Sequence, residues 1–362
     1  MRPSYDEYVR MIIPLIVSKS RKNNFTRVVL AMRVCVFVGC FLLASVSFAS
    51  EDPEQWLMDM SDNSAQLNYS GNLVYTQGSR MDTMRIYHGI KEGVQHERLV
   101  HMSGQHREFI RRGSSVVYID AVNGMTSLDA QAGGAGDYFS ESDFSSGYSA
   151  RFAALREPYE VSFDGHDRVA GRAVALITLM PKDNYRHGFQ LALDKSTKLL
   201  LRSLMMDAER TVLERFEYTQ IDIGTEIADA DLAPEVLKKQ ASKPLEQDQK
   251  KPRAQSRQHA SSASWHVGWV PPAFTLASDD PVLGPDPGHD RPLMYSDGLT
   301  AFSVFVEDNA DLGQHSRRRG ATMAHTLAKE DRKGLFSVTV VGEIPLVAAE
   351  KIANSVTRAK VK

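Results

Sequence analysis

The stretch from Leu67 to Asp120 constrains the fold more than any other part of the chain. Leu67, Tyr69, Leu73 and Tyr75 fall on alternate positions, with Asn68, Ser70, Asn72 and Thr76 between them. Successive side chains of a strand point to opposite faces, so this is the pattern of a half-buried strand. Turn signals follow at Gln77-Gly78-Ser79, Lys91-Glu92-Gly93, Ser103-Gly104 and Gly113-Ser114, with apolar-rich runs at 84–90, 94–102, 108–112 and 116–120 between them. Short strands joined by short turns predict an antiparallel meander. Such a sheet keeps one face wet and turns the other onto an apolar filling.

A second meander is expected further on. Strands are predicted at 159–163, 169–180, 188–193, 199–206 and 212–223, with Gly165-His166-Asp167 as a turn. In the last strand Val212, Phe216 and Tyr218 are read onto one face. Roughly nine or ten strands in all suit a strongly curved or partly closed sheet. Ahead of the sheet, Asp52 is a candidate N-cap, Pro53 suits the first helical position and Gln55 sits where a capping box places it. Trp56, Leu57 and Met60 give one apolar face to a helix over 53–66. The Gly/Ser/Asp-rich segment 130–149 reads as a loop; its Gly133–Gly136 run lacks the Lys-Ser/Thr of a phosphate loop.

The ends and the middle read differently. Arg27 and Arg33 precede an apolar run from Val34 to Phe48, and Ser47 and Ala49 make a small-x-small cleavage site. Residues 1–49 are therefore read as a secretory signal peptide, with translation starting at Met32 or Met11. An uncleaved anchor and a lipoprotein signal at Cys40 are the other readings; the run is short for a membrane span. Both cysteines, Cys35 and Cys40, lie inside this segment. The mature protein would have no disulfide, thiolate metal site or cysteine nucleophile, which fits a bacterial periplasm. Segment 238–264 carries Lys238, Lys239, Lys243, Lys250, Lys251, Arg253 and Arg257 against Glu246 and Asp248, with Leu245 its one large aliphatic residue. It is read as a flexible solvated linker spanning on the order of 25–30 Å. A nucleic-acid arm is disfavoured, because no aromatic is interleaved and the whole-chain charge is only −2. The linker divides an N-terminal domain, 50–237, from a small C-terminal α+β domain, 265–362. The latter has an aromatic entry at Trp269–Phe274, an Asp297-Gly298 turn into a strand over 299–307, a basic turn at Arg317–Gly320, a strand over 336–342 and a closing helix over 345–356.

Nothing in the chain spells catalysis. HExxH, GxSxG, P-loop and CxxC motifs are absent. His88, His96, His101 and His106 are read as surface sheet histidines, since His96 and His101 differ by an odd step and point oppositely within one strand. No metal and no cofactor are expected. Arg98, Arg107, Arg111 and Arg112 form either a solvated face or a docking face. Arg317–Arg319 are either an exposed basic loop or partners for carboxylates or a lipid phosphate. Run 199–206 is plain core or a lipid-lining wall, and Leu73, Tyr75, Met205, Phe216 and Tyr218 are the candidates to line a lipid cavity.

These residues resemble the MucB/RseB family of periplasmic regulators of the envelope-stress sigma factor. The resemblance covers roughly Trp56 to Val356. It rests on Glu97-Arg98-Leu99, Gly104 with Arg107–Gly113, Trp269-Val270-Pro271 with Phe274, Tyr295–Leu299 with Phe302-Ser303-Val304, Arg319–Thr322 and Val338–Pro345. It implies an α+β, mostly antiparallel β fold: an unclosed β-barrel packed on helices, similar to lipoprotein carriers, with a smaller C-terminal domain. It implies a protein that is not an enzyme, exported to the periplasm. There it would bind the periplasmic domain of a membrane-bound anti-sigma factor, shield it from regulated proteolysis, and let go on sensing a lipid, lipoprotein or lipopolysaccharide-type amphiphile. By resemblance, Tyr295, Asp297, Gly298, Leu299, Phe302, Arg319, Gly320 and Thr322 would hold the anti-sigma factor. A periplasmic lipid or lipoprotein carrier is the alternative; the second domain argues against it. A hydrolase is argued against by the missing catalytic constellation. A homo-oligomer is left open.

Overall fold

A computed structural model describes residues 51–64, 66–113, 115–120, 124–128 (backbone only), 156–235, 265–276, 292–308 and 312–359. The signal peptide, the glycine-rich loop and the basic linker read from the sequence lie outside the described residues. Residues 52–362 belong to one compact unit. Its described elements are mostly antiparallel strands with few helices.

Helix α1, Pro53–Ser64, begins where Asp52 caps it. Asp52 Oδ1 accepts from Glu54 N at 3.0 Å and from Gln55 N at 3.4 Å, which satisfies donors that a first turn leaves orphaned. Gln55 does not reach back to close a capping box. Its Nε2 donates forward to Asp59 Oδ1 at 2.7 Å, the i,i+4 neighbour on the helix surface. Trp56, Leu57 and Met60 are buried, as their spacing predicts.

The large sheet has eleven strands. The first six are β1 (Tyr69–Gln77), β2 (Arg80–Lys91), β3 (Val94–His101), β4 (Arg107–Arg112), β5 (Ser115–Asp120) and β6 (Gly124–Leu128). The other five are β7 (Tyr159–Val169), β8 (Arg172–Pro181), β9 (Gly188–Asp194), β10 (Leu200–Met206) and β11 (Val212–Ile223). Their order, β6-β5-β4-β3-β2-β1-β11-β10-β9-β8-β7, joins the two predicted meanders through the β1–β11 pair. β6 and β7 are the two ends of that order, so the sheet is unclosed. One apolar cluster gathers Trp56, Leu57 and Met60 with Ile177, Leu179, Phe189, Leu191 and Met205. A second gathers Leu73, Met84, Ile86, Leu99, Phe109, Phe216 and Tyr218 with Val174 and Leu201. The second cluster draws on both halves of the strand order, so the sheet curls onto itself.

Two sequence expectations are corrected here. Gly165-His166-Asp167 is not a turn: β7 runs through it with a register shift between Phe163 and His166, and the reversal comes at Ala170-Gly171. A bulge and a turn both use a glycine at positive φ, here 97°, and the sequence does not separate them. Val212 does not share the buried face of Phe216 and Tyr218. It is 42% exposed, because an irregularity skips Leu213 and pairs Met206 with Val212 at the strand's end.

A short helix α2, Asp229–Leu232, follows β11. The smaller half carries a six-stranded sheet in the order β13-β14-β15-β18-β17-β16. Its strands are β13 (Thr275–Leu276), β14 (Leu293–Ser296), β15 (Ala301–Asp308), β16 (Gln314–Arg319), β17 (Thr322–Asp331) and β18 (Gly334–Gly342). Helix α3, Leu346–Ser355, covers one face through Ala348, Ala349, Ile352 and Ala353, packed against Phe302, Val304, Val338 and Val340. A two-stranded ribbon of β12 (Trp265–Val267) and β19 (Val356–Arg358) ties the entry segment to the chain's last described strand. The arginines Arg317–Arg319 are not in a turn; they lie in β16, an edge strand exposed along its whole length, and the turn falls at Gly320-Ala321.

Leu57→Ala should destabilise the protein by about 2–5 kcal/mol, because Leu57 is fully buried between α1 and the sheet. Denaturant unfolding of the two chains measures this; a loss below about 0.5 kcal/mol would mean that α1 does not complete the core.

Candidate functional site

A buried polar region lies where the two sheets meet, and it is built by residues far apart in the chain. The loop between β8 and β9 carries Asp183, Tyr185, Arg186 and His187. The Arg186 side chain is fully buried. Its Nε donates to both oxygens of Asp183 at 3.2 Å, its Nη1 to Asp297 Oδ2 at 3.2 Å and its Nη2 to the Pro272 carbonyl at 2.7 Å. The guanidinium also lies 5.5 Å from the ring centres of Tyr159 and Phe274. Arginine suits this place because its planar fork donates in several directions at once and stacks on rings.

Asp297 is fully buried and organises the turn between β14 and β15. Its Oδ1 accepts from Leu299 N and Thr300 N, both at 2.9 Å, which leaves Oδ2 for Arg186. Gly298 takes φ 98° there, a conformation that side-chain-bearing residues rarely adopt. Burial pushes the Asp297 carboxyl above its ordinary range, against the pull of these donors. Leu299 then packs against the α1-side core of the large sheet.

A second contact lies beside the first. Glu214 of β11 is buried and accepts from Tyr75 Oη at 2.5 Å, from Gln77 Nε2 at 3.1 Å and, across the junction, from Ala321 N at 3.0 Å. Gln77 Nε2 also reaches Thr322 Oγ1 at 3.4 Å. The approach is close enough to demand glycine at 320: a Cβ there would sit 2.5 Å from Gln77 Cγ and 2.9 Å from Glu214 Oε1. Ala321 is fully buried and belongs to the large sheet's core cluster. Burial holds Glu343 up to about 8, with the carboxylates of Glu214 and Asp297 adding to the rise. Burial likewise pushes His187 down to about 4. On the flank, Tyr185 meets Trp269 edge-on at 4.9 Å, and Lys351 Nζ lies 4.0 Å from the Trp269 ring centre while donating to Tyr185 Oη at 2.9 Å.

The structure therefore brings most of the residues singled out by resemblance to one place, but not onto an open surface. Asp297, Gly298, Leu299, Gly320 and Thr322 are at the junction. Phe302 is 1% exposed and stacks on half-buried Tyr295 at 5.2 Å in the core of the small sheet. Of the set, Arg319 alone is exposed. Sequence reasoning gave no role to Arg186, Glu214, Gln77 or Glu343; Glu343 lies in the family run Val338–Pro345, and for Arg186 the one local hint is an aromatic and charged run, Asp183–His187, set between two apolar strands.

The proposed arginine face does not exist as one face. Alternation along β4 puts Arg107 and Arg111 on the side of Phe109, and Arg112 on the other. Arg98 is buried, with Nε bonded to Glu108 Oε2 at 2.8 Å and Nη1 to the Asp231 carbonyl at 3.1 Å. His106, Glu108 and Glu235 have ligand atoms within 4.8 Å of one another. The Glu108 oxygens, however, already accept from Arg98, from His106 Nε2 at 2.6 Å and from Glu235 N at 3.2 Å, so the group reads as an ion-pair network. His88 and His101 are not surface histidines. His88 is fully buried, stacked on Tyr69 at 4.6 Å, with Nδ1 at the Leu67 carbonyl and Nε2 at Gln95; burial lowers His101 to about 4. Among the cavity candidates, Leu73 pairs with Tyr218 and Tyr75 with Phe216, on one face. Met205 belongs to the other cluster, beside Phe189. Leu73, Phe216 and Tyr218 are only 1–4% exposed, so an acyl chain reaches them only by displacing protein contacts.

The comparisons with known proteins agree on one family. The model for the MucB/RseB N-terminal domain matches residues 52–236, and that for the C-terminal domain matches residues 259–357. The chain belongs to the MucB/RseB family. The sigma factor AlgU regulatory protein MucB of Pseudomonas aeruginosa is 30% identical over 322 residues, covering 87% of this chain and 94% of MucB. The sigma-E factor regulatory protein RseB of Haemophilus influenzae is 28% identical over 324 residues, covering 87% and 94%. These relatives are regulatory proteins, and the family is not one of enzymes. A structure of the Pseudomonas aeruginosa MucA/MucB complex superposes with a TM-score of 0.66 at 28% identity, covering 86% of this chain and all of that one. MucB in complex with periplasmic MucA gives 0.63 at 27% identity, and a crystal structure of MucB gives 0.56 at 28%.

Glu343→Gln should raise stability at mildly alkaline pH. A carboxyl whose folded pKa is about 8, against about 4.5 unfolded, binds more protons folded than unfolded between those values. Stability therefore falls as pH rises through that window and is lost up to pH 8, by up to about 1.4 kcal/mol per pH unit. Denaturant unfolding at pH 6.5 and pH 8 checks it: the wild-type loss should exceed that of the Gln variant. Equal losses would mean that its surroundings do not hold the Glu343 carboxyl protonated.

Proposed function

We propose that this protein is a regulatory binding protein of a sigma-factor pathway. It is exported to the periplasm, where it holds the periplasmic domain of a membrane-bound anti-sigma factor, shields that domain from regulated proteolysis and gives it up when a lipid, lipoprotein or lipopolysaccharide-type amphiphile arrives. One observation carries the reading: the chain matches MucB in its complex with MucA over 86% of its own length and the whole of that chain, so both sheets are present.

The geometry is consistent with this work. A binder needs two rigid surfaces set at a fixed relation, and two sheets held by buried polar contacts provide them. An amphiphile can release a partner only by preferring a conformation that does not hold it. Linkage then requires that the bound partner weaken amphiphile binding by the same factor.

Calorimetric titration of the chain from Ser50 to Lys362 with the periplasmic segment of its organism's anti-sigma factor tests the reading, repeated with an acylated amphiphile. Binding that the amphiphile weakens is expected. Amphiphile binding with no affinity for the anti-sigma segment would make the protein a carrier. Segment binding untouched by amphiphile would leave the shielding and remove the sensing.

A further inference from the structure

We infer that the junction residues act on partner capture indirectly. Arg186, Glu214, Gly320 and the Asp297–Thr300 turn are positioning groups. They hold the two sheets in the arrangement that binds the partner, and opening of this junction is the release step. The inference rests on the functional reading above and names how that function is controlled.

Two observations carry it. First, the residues that resemblance assigns to the partner are engaged with the protein itself. Asp297 has one oxygen on the Leu299 and Thr300 N–H groups and the other on Arg186; Gly320 abuts Gln77 and Glu214; Thr322 receives Gln77. Asp297 is fully buried, and its carboxylate reaches a partner only by leaving these contacts.

Second, the contacts that cross the junction are mainly polar. Arg186 bridges Asp183 on its own side to Asp297 and the Pro272 carbonyl on the other, and Glu214 accepts from Ala321 N. Leu299 and Ala321 on the large-sheet core, and Tyr185 against Trp269, are the apolar contribution. Separating apolar surfaces costs free energy in proportion to area, with no compensation from water. Separating a buried ion pair returns two strongly hydrated groups to solvent, and much of the lost attraction is recovered as hydration. A junction of this composition costs less to open than an apolar one of the same area, and a ligand that prefers the open state shifts the balance.

The test reads junction geometry and partner affinity on the same molecules. The chain from Ser50 onward has no cysteine. Met81 on the large sheet is 66% exposed and Leu335 on the small sheet 42%, so cysteines at both positions accept spin labels. Arg186→Gln removes the charge while keeping a donor, and Gly320→Ala wedges the second contact. Each should lengthen or broaden the label distance and weaken binding of the anti-sigma segment by about tenfold or more. In an unlabelled Arg186→Gln chain, a Gln77→Cys/Thr322→Cys pair closed by a short bis-thiol-reactive linker should restore the affinity, and the closed form should no longer release the segment to an acylated amphiphile. A variant that opens while keeping its affinity overturns the inference. So does a variant that loses affinity at an unchanged label distance, and so does a linked form that stays weak. A wild-type chain that binds no segment overturns the functional reading as well, and is distinguished by being weak before any substitution.

Discussion

A single guanidinium sits where the two halves of this protein meet. Arg186 has no exposed side-chain surface, so every donor it holds must be satisfied by protein. Its position dictates what surrounds it. Asp183 must be near in the same loop, the β14–β15 turn must present Asp297, and the entry segment must bring the Pro272 carbonyl. The rings of Tyr159 and Phe274 close the site at 5.5 Å. The loop between β8 and β9, strand β7, the aromatic entry and the Asp-Gly turn are thus held to one another by one charge.

The junction also shows how local chemistry serves distant geometry. Asp297 is a turn residue first: its Oδ1 accepts the two N–H groups that a tight reversal leaves open, an ordinary use of aspartate in turns. The remaining oxygen is thereby fixed in direction and aimed across the junction. Gly320 serves similarly from the other side, where the absence of a side chain lets the following N–H of Ala321 reach Glu214. Half-buried Glu343 belongs with them, its carboxyl raised to about 8 by burial and by the neighbouring carboxylates of Glu214 and Asp297.

Much of the architecture is legible in the sequence, for identifiable reasons. The strands from Tyr69 to Asp120 show because alternation and turn residues are local properties. Asp52 and the Trp56/Leu57/Met60 face show for the same reason. Gly165 was open to misreading because bulges and turns ask the same thing of a glycine. His88 looks like a surface residue until Leu67, Gln95 and Tyr69 are seen around it. The site is less legible than the fold. Arg186 and Asp297 are 111 residues apart, and Glu214 and Ala321 are 107 apart. Residue patterns within a window of ten or twenty positions carry no trace of either pairing. Family resemblance flags Asp297, Gly298 and Gly320, yet it cannot say whether such residues touch a partner or their own chain.

The edge strand β16 has a consequence of another kind. Its six residues, Gln314 to Arg319, are all exposed, and three of them are arginines in a row. An open strand edge is a template on which a further strand can be laid, including the same strand from a second molecule. Positive charge on such an edge works against that pairing: any register that sets the arginines of two copies opposite one another gathers like charge, with no carboxylate on either strand to offset it.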